Sequence, residues 1–282
     1  MSIEARVLGP LQVTCAGTDV TPTAPKVRGA LALLLLHSGQ SVPVRDLIVE
    51  LWGDRPPRSV LTTLQTYILS LRKLLGRGLA MPVSGVAETI LLTRPGGYQL
   101  RDTFDYFDLL QYKRIDALGQ RALADGEHLA AAELLQQAQG IWRGPVLTDV
   151  RPGSVLEPEI KRLEEARLAT ITKGIEVRLR LGHHLELLAD LSGLVSQYSL
   201  HENLHAQYMV ALHRSGRRQE ALSVYQRMRF TFKNELGLEP SRRLQVLQQA
   251  ILSDSPALDF VPRGDSTAKL LGQDQDRYHF AG

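Results

Sequence analysis

The sequence predicts an α+β region over residues 1–101, followed by an all-α region over residues 102–252. Two observations predict the first region. Short alternating segments precede residue 25, and three helical segments lead to a turn at residues 93–98 that closes a hairpin. Beyond residue 101 the hydrophobic spacing is that of helices, which predicts the second region. Residues 253–282 are polar and are predicted to form a mobile tail.

The chain has 282 residues, enough for two domains, and its 44% hydrophobic and 22% charged residues are typical of a globular protein. Residues 1–101 carry eleven Lys and Arg against six Asp and Glu, a net charge of +5, whereas the remaining 22 against 24 give −2. The basic excess therefore lies in the α+β region. It has the sign expected for a nucleic-acid partner, but a charge of this size is also common in domains that bind none.

Several classes of protein are excluded by simple features. The single cysteine, Cys15, excludes an internal disulfide framework and a cysteine-rich zinc site. The first residues lack the charged and then apolar pattern of a secretion signal, and the apolar run at residues 31–36 is much shorter than a membrane span. We therefore expect a cytoplasmic protein without cofactor, metal or membrane partner.

The elements of the first region succeed one another with clear start and stop signals. In order, the sequence predicts a strand at residues 3–7, turns at Gly9-Pro10 and at residues 16–19, a buried helix at 26–37, a second helix starting at Pro43, a break at 53–57, a third helix with Ser59 as N-cap, a flexible connector at 76–88, and hairpin arms at 89–92 and 98–100.

The third helix is the most informative segment. Its leucines and isoleucine recur at spacings of three and four and form one stripe: Leu61, Leu64, Ile68, Leu71 and Leu75. The opposite face carries hydroxyl groups and one cation but no carboxylate: Thr62, Thr66, Ser70 and Lys73, with Thr63 on its shoulder. A helix in the DNA major groove must avoid carboxylates because phosphates line the groove. Followed by a hairpin with Arg94 near its tip, this helix predicts a winged-helix DNA-binding domain.

The all-α region contains three similar junctions, each with a helix end, a glycine, a short polar turn and a new amphipathic helix. The glycines are Gly126, Gly182 and Gly216. The last two are 34 residues apart, which is the period of a tetratricopeptide-type helix pair, whereas the first interval is 56. We therefore expect an irregular array of stacked helical hairpins that presents a surface to partners.

A series of motifs in a fixed order gives a family resemblance. They are residues 28–36, Leu51-Trp52-Gly53-Asp54 followed by Pro56-Pro57, Leu64-Gln65-Thr66-Tyr67-Ile68 leading into residues 71–76, Pro95-Gly96-Gly97-Tyr98, residues 147–150, residues 209–217, Glu220-Ala221-Leu222 with Tyr225, and residues 235–240. Over residues 3–252 the chain resembles the Streptomyces antibiotic regulatory proteins. Its second half looks like the bacterial transcriptional activation domain of that family.

The resemblance implies an OmpR-type winged helix fused to a tetratricopeptide-like activation domain. It implies an activator that binds direct repeats in double-stranded DNA near an antibiotic biosynthesis promoter and recruits RNA polymerase through its sigma factor and core subunits. Direct repeats imply head-to-tail self-association on DNA. We expect a small, nucleoid-associated member of the family, with neither a phosphoreceiver before the DNA-binding domain nor an ATPase domain after the activation domain.

Roles for individual residues are predicted from their positions on or beside the third helix and the hairpin. The role of Trp52 is implied by the resemblance, because the family places at the matching position a tryptophan whose indole N–H reaches a phosphate. The candidates for base contacts in the major groove are Thr62, Thr63, Thr66, Tyr67 and Ser70. The candidates for phosphate contacts are Trp52, Arg58, Gln65, Arg72 and Lys73, and those for the minor groove are Arg94 and Gly96. Three alternatives stay open: Trp52 as a core residue, Arg94 as a solvated turn residue, and Leu69 on a thymine methyl group or on a neighbouring protomer.

Two other functions compete with DNA binding. His201-Glu202-Asn203-Leu204-His205 fits the H-E-x-x-H pattern of zinc peptidases, with Glu220 as a conceivable remote ligand. The longer zincin pattern fails, because Tyr208 stands where it needs glycine and Ala211 where it needs the third histidine. The other alternative is a helical-repeat adaptor whose N-terminal domain binds a protein. Steep salt dependence of DNA binding would separate an activator from such an adaptor.

Overall fold

The computed structural model describes residues 2–259, which divide into two compact units after Ile171. The first unit is an α+β region followed by helices, in the predicted order. Its elements are β1 (Ile3–Arg6), β2 (Gln12–Cys15), β3 (Thr18–Asp19), α1 (Pro25–Leu36), β4 (Ser41–Pro43), α2 (Val44–Trp52), α3 (Val60–Leu79), α4 (Val83–Thr89), β5 (Leu91–Arg94), β6 (Gly97–Leu100), β7 (Tyr106–Phe107), α5 (Asp108–Ala124), α6 (His128–Gly140) and α7 (Leu156–Arg180), whose last residues belong to the second unit.

Two small sheets frame the helices of the first unit. One has the strand order β3-β2-β1-β7, with β1 and β7 parallel and the other pairs antiparallel. The other has the order β4-β6-β5 and is antiparallel throughout. The sequence did not predict β4 or β7, because strands of two or three residues have too few side chains to show alternation.

Helix α1 is buried on almost every side, as its composition predicted. The leucines at residues 31–35 flank Ala32 and are all nearly inaccessible to solvent. The helix packs against α2, α3 and β6, which explains why it carries no polar face. It is the centre around which the candidate DNA-binding elements are arranged.

The predicted flexible connector at residues 76–88 is wrong. Helix α3 continues to Leu79, and α4 occupies most of the segment between α3 and β5. Gly76 and Gly78, which lie in this segment, are sites of close approach. A Cβ atom on Gly78 would lie 2.6 Å from the Cβ atom of Cys15, so only glycine lets α3 lie this close to β2.

The hairpin also begins later than predicted. The first arm, β5, starts at Leu91, and Thr89 is the last residue of α4. Leu91 pairs with Leu100 and Arg94 with Gly97, so that only Pro95 and Gly96 lie at the tip. Gly96 has a φ of 72°, a left-handed conformation that favours glycine.

Three carboxylates tie the N-terminal strands and helices to the helices later in the chain. Asp108 accepts hydrogen bonds from the backbone N–H groups of Val7 and Leu8, each at 2.9 Å. Asp149 accepts one from Leu11 at 2.8 Å and pairs with Arg28. The third is Glu50, which is 7% exposed and lies on α2.

The Glu50 carboxylate caps the start of α7. Its Oε1 accepts from Gly153 N at 2.6 Å, and its Oε2 accepts from Val155 N at 3.0 Å and from Leu156 N at 2.8 Å. These N–H groups have no partner within the helix, and a negative charge at this end is favourable. The cap comes from a residue more than a hundred positions earlier, so it joins α2 to α7 within one folded unit.

The second unit is entirely helical in its described part. After the end of α7 it contains α8 (Leu188–Gln197), α9 (Glu202–Arg214), α10 (Arg218–Leu236), α11 (Arg242–Leu252) and a short 3-10 helix at Pro256–Leu258. Its core is formed by α9, α10 and α11, with Met209, Tyr225 and Phe232 among the buried residues. The three glycines predicted at helix junctions, Gly126, Gly182 and Gly216, all have positive φ.

The division into compact units falls seventy residues later in the chain than the predicted boundary at 101/102. One hydrophobic cluster extends from Ile3 in β1 to Leu163 in α7, so α5, α6 and the first part of α7 share a core with the N-terminal elements. The predicted boundary concerns where DNA binding ends and activation begins, and in that sense it stays a prediction. Of the predicted tail, residues 260–282 lie outside the described residues. No helix in residues 2–259 is long and apolar enough to cross a membrane.

Candidate nucleic-acid interface

The candidate interface is centred on the outward face of α3. Leu64, Ile68, Leu71 and Leu75 are at most 4% exposed and anchor the helix, as predicted. Leu61 is the exception. It is 58% exposed, so its predicted place in the core stripe is wrong. It lies in the first turn of the helix, which extends beyond the edge of the hydrophobic core.

The hydroxyl-bearing face of α3 is accessible in its middle and half-buried at its edges. Thr62 and Thr66 are exposed. Thr66 donates its hydroxyl hydrogen to the carbonyl oxygen of Thr62 at 2.9 Å, and Thr63 donates its own to Ser59 at 3.0 Å. In this arrangement both hydroxyl groups offer only lone pairs to a ligand, so they are acceptors on the helix surface.

Ser70 lies at the edge of the same face. It is half-buried and lines a surface groove of about 370 Å³ together with Arg77 and residues 18–24. The sequence predicted base contacts for Ser70 as for Thr62 and Thr66, but the Ser70 side chain is less accessible to a ligand than those two. Ser59 does occupy the N-cap position of α3, but its side chain makes no capping hydrogen bond.

Arg72 joins α3 to the hairpin. Its Nε donates to the carbonyl oxygen of Leu91 at 3.0 Å and its Nη2 donates to the Thr93 hydroxyl at 2.9 Å. Burial lowers the pKa of its guanidinium group. The side chain predicted to bind a phosphate is thus largely engaged in fixing the position of β5 beside the helix, and its phosphate contact stays a prediction.

The hairpin holds Arg94, the last residue of β5 before the tip, in a defined position. Arg94 is exposed, and its Nε donates to Oε1 of Gln99 at 2.7 Å across the two strands. Gln99 in turn donates to the carbonyl oxygen of Gly39 at 2.6 Å. The Nη groups of Arg94 make no hydrogen bond within residues 2–259 and can reach a partner outside the chain. Sequence reasoning missed Gln99, because nothing local reveals a contact to Gly39.

Trp52 and Tyr67 pack together on the other flank of α3. Their rings stack with centroids 5.8 Å apart and an angle of 9° between the planes. The ammonium group of Lys26 lies 4.7 Å from the centroid of the Trp52 ring, which adds a cation–π contact. Both rings are half-buried, so this pair supports the packing of α3.

The electrostatics of this region differ from those of the second unit. No carboxylate occurs between Arg55 and Ala87. The cations around α3 and the hairpin are exposed and have no carboxylate partner within the described residues: Arg55, Arg58, Lys73, Arg77 and Arg94. In the second unit, by contrast, several arginines are paired with carboxylates, as in Arg217 with Glu220 and Arg229 with Glu239. Exposed cations without an ion-pair partner suit a polyanion.

Comparison with known proteins decides the family. Residues 107–252 match the family model of the bacterial transcriptional activator domain. Regulatory protein DnrI of Streptomyces peucetius is 45% identical over 257 residues, which cover 91% of this chain and 94% of DnrI. The chain belongs to the Streptomyces antibiotic regulatory proteins. It is therefore a transcriptional activator and not an enzyme, and its family implies interaction with DNA and RNA polymerase in general terms.

Other regulators related to this family share only part of their length with the chain. Regulatory protein AfsR of Streptomyces coelicolor is 35% identical over 253 residues, which are 89% of this chain but 24% of AfsR. The solved structure of Mycobacterium tuberculosis EmbR in complex with a low-affinity phosphopeptide superimposes with a TM-score of 0.82 at 32% identity, over 90% of this chain and 66% of EmbR. The fold described above is therefore shared with a solved regulator.

The H-E-x-x-H pattern has a structural role in this activator. His201 is the N-cap of α9, where its Nδ1 accepts from Leu204 N at 3.3 Å. His205 donates from Nε2 to the carbonyl oxygen of Ser199 at 3.0 Å, and Glu202 accepts from Ser241 N at 2.7 Å. Glu220, the conceivable remote ligand, pairs with Arg217. Within residues 2–259 no three such side chains are grouped to hold a metal, and the peptidase alternative is rejected with family membership.

The buried His205 predicts sensitivity of the fold to acid. Burial lowers the pKa of its imidazole below the ordinary value of 6.5, so the folded state favours the neutral ring. The unfolded chain takes up the proton first, and this contribution to stability is lost as the pH falls through about 6.5. We expect His205→Gln, whose amide can still donate to Ser199, to reduce the fall in melting temperature between pH 7 and pH 5. Circular dichroism at several pH values measures it, with His183→Gln as the control. An unchanged pH slope would contradict the assignment.

Proposed function

We propose that residues 1–101 form an OmpR-type winged helix that binds double-stranded DNA, with α3 in the major groove and the β5–β6 hairpin in the neighbouring minor groove. The observation that carries the proposal is the carboxylate-free outward face of α3, surrounded by unpaired cations and followed by a hairpin with Arg94 beside its tip. An α-helix fits the width of the major groove, and arginine is favoured in narrow minor grooves.

The roles of the side chains are assigned from their exposure. Thr62 and Thr66 contact base edges from the middle of the face, while Thr63, Tyr67 and Ser70 contact them from its edges. Contacts to phosphates come from Arg58, Lys73, Trp52 and the N–H donors that Arg72 does not use within the chain. Arg94 enters the minor groove, where Gly96 allows the tip to approach the sugar-phosphate backbone closely.

The helical region, residues 102–252, acts as the activation domain. On this proposal it is a tetratricopeptide-like array that contacts the sigma factor and core subunits of RNA polymerase, at a promoter for antibiotic biosynthesis. Two protomers bind direct repeats head to tail, because one α3 helix covers only a short site and a second raises the affinity through effective concentration. The protein then works in the cytoplasm, on the nucleoid. The 45% identity to regulatory protein DnrI over nearly its full length supports this assignment.

The test is DNA binding as a function of salt, with Arg94→Ala as the variant. Footprinting on promoters beside the gene identifies the protected fragment, and titrations at several salt concentrations give the slope of log K against log salt. We expect a steep negative slope for the parent chain. The variant should bind roughly tenfold more weakly, with only a modest change in slope, since it loses a single contact.

Arg114→Ala is the matched control, because Arg114 is an exposed arginine on α5, away from the hairpin. It should bind like the parent chain. Absence of any protected promoter would favour the adaptor and reject the proposed function. A protected promoter with equal affinity for the parent chain and Arg94→Ala would keep DNA binding but remove the hairpin from the interface.

A further inference from the structure

Leu69 is an apolar side chain in the middle of the polar face of α3. It is 42% exposed. Its neighbours one helical turn away are Gln65 and Thr66 on one side and Arg72 and Lys73 on the other. The leucines that anchor α3 lie on the opposite side, so the core does not account for Leu69. A single exposed leucine is common, and its exposure alone would carry no conclusion.

The side chains beside Leu69 indicate what kind of ligand this position could contact. Thr66 donates its hydroxyl hydrogen to the carbonyl oxygen of Thr62, so its hydroxyl oxygen can only accept a hydrogen bond from a ligand. Gln65 is exposed, and its amide makes no hydrogen bond to any residue between 2 and 259. The patch thus combines an amide with both donor and acceptor, a hydroxyl acceptor and an apolar group.

This combination matches one kind of base pair. In the major groove an A·T pair offers the N7 acceptor and N6 amino donor of adenine, the O4 acceptor of thymine, and the thymine C5-methyl group. A glutamine amide can make two hydrogen bonds to adenine, a hydroxyl acceptor suits the amino group, and an aliphatic side chain suits the methyl group. A G·C pair offers no methyl group for Leu69 to contact.

On this basis, and resting on the proposed function, we propose that Leu69 reads the C5-methyl group of a thymine in the half-site, and that Gln65 and Thr66 contact adenine beside it. Gln65 then contacts a base rather than the phosphate predicted from the sequence. The charge around the patch favours DNA as the occupant, because the exposed cations Arg58, Lys73 and Arg77 have no carboxylate partner within the described residues and suit a polyanion.

The test removes the methyl group and the leucine separately. Each thymine in the protected half-site is replaced in turn by uracil, which lacks only the methyl group, and dissociation constants are measured for the parent chain and for Leu69→Ala. We expect one replacement to weaken binding of the parent chain about fourfold, the size for one buried methyl group. The same replacement should not affect Leu69→Ala, which should already bind thymine DNA about fourfold more weakly.

Leu118→Ala is the matched control, since Leu118 is 45% exposed on α5 and should keep the full response to uracil. Thermal unfolding confirms that each variant is folded. Equal binding of uracil and thymine DNA by the parent chain at every position overturns the proposal, and so does a uracil penalty that persists in Leu69→Ala. A loss for Leu69→Ala on paired half-sites but not on a single half-site assigns Leu69 to a contact between protomers. Absence of specific DNA binding by the parent chain rejects the proposed function itself.

Discussion

Replacing Thr66 with glutamate is expected to reduce affinity for promoter DNA by about a hundredfold without unfolding the chain. Thr66 is exposed at the centre of the outward face of α3. A carboxylate there would face the phosphates of both groove walls, and like charges at an interface cost several kcal/mol, where about 1.4 kcal/mol corresponds to tenfold. Glutamate favours helices more than threonine does, so the fold should be preserved.

The control for Thr66→Glu introduces the same charge elsewhere. Thr103 is exposed in the segment before β7, and Thr103→Glu should lose little affinity. Thr66→Ala should give a smaller effect of a different kind, namely a relaxed preference among bases, by about 1–3 kcal/mol if the contact is a good one. Titrations on the footprinted fragment and on point-substituted fragments measure both effects. If Thr66→Glu binds as tightly as Thr103→Glu, α3 does not lie in the groove.

Replacing Glu50 with alanine is expected to destabilise the first unit by roughly 3 kcal/mol. The change leaves the N–H groups of Gly153, Val155 and Leu156 without their shared acceptor at the start of α7, and a buried donor without a partner costs about 1–3 kcal/mol. For a unit of this size the melting temperature should fall by roughly 6–12 °C. Differential scanning calorimetry measures the change.

Two further variants test whether the carboxylate of Glu50 is responsible. Glu50→Gln keeps the shape but presents an amide hydrogen to the same donors, so it should also destabilise the unit. Glu133→Ala removes an exposed glutamate from α6 and should change the melting temperature very little. A melting temperature for Glu50→Ala equal to that of Glu133→Ala would show that the cap contributes nothing to stability.

The sequence predicted the elements that repeat a pattern over several turns. The buried α1, the stripe from Leu64 to Leu75 and the helix junctions at glycines could all be predicted, because each depends on residues close together in the sequence. The stripe was extended one turn too far at Leu61, since the pattern does not show where the core ends. The segment at residues 76–88 was predicted to be a flexible connector, because local sequence cannot show that α3 continues past Gly76 and Gly78, close to a strand sixty residues earlier.

The side chains of the candidate site could be selected from the sequence, but the contacts that hold them in position could not. The threonines and Arg94 were selected from spacing and from the absence of carboxylates, and the structure shows Thr62, Thr66 and Arg94 exposed, while their contacts to DNA stay predictions. Gln99 behind Arg94, Lys26 over Trp52, and the engagement of Arg72 with Leu91 and Thr93 depend on folding partners far along the chain. A single sequence contains no sign of such pairs, although they set the position of the hairpin and the tilt of the aromatic rings.

The shared core of the first unit limits how a DNA-reading module could be exchanged between regulators. A cut at residue 101 would remove β7 from its sheet, expose the hydrophobic cluster that includes Tyr112 and Trp142, and leave Glu50 with nothing to cap. A cut near residue 171 would keep all of these intact. Gene fusions that join the proposed DNA-binding domain to a different effector should therefore cross over within the second half of α7, so the transferable segment includes part of what the motifs assign to activation.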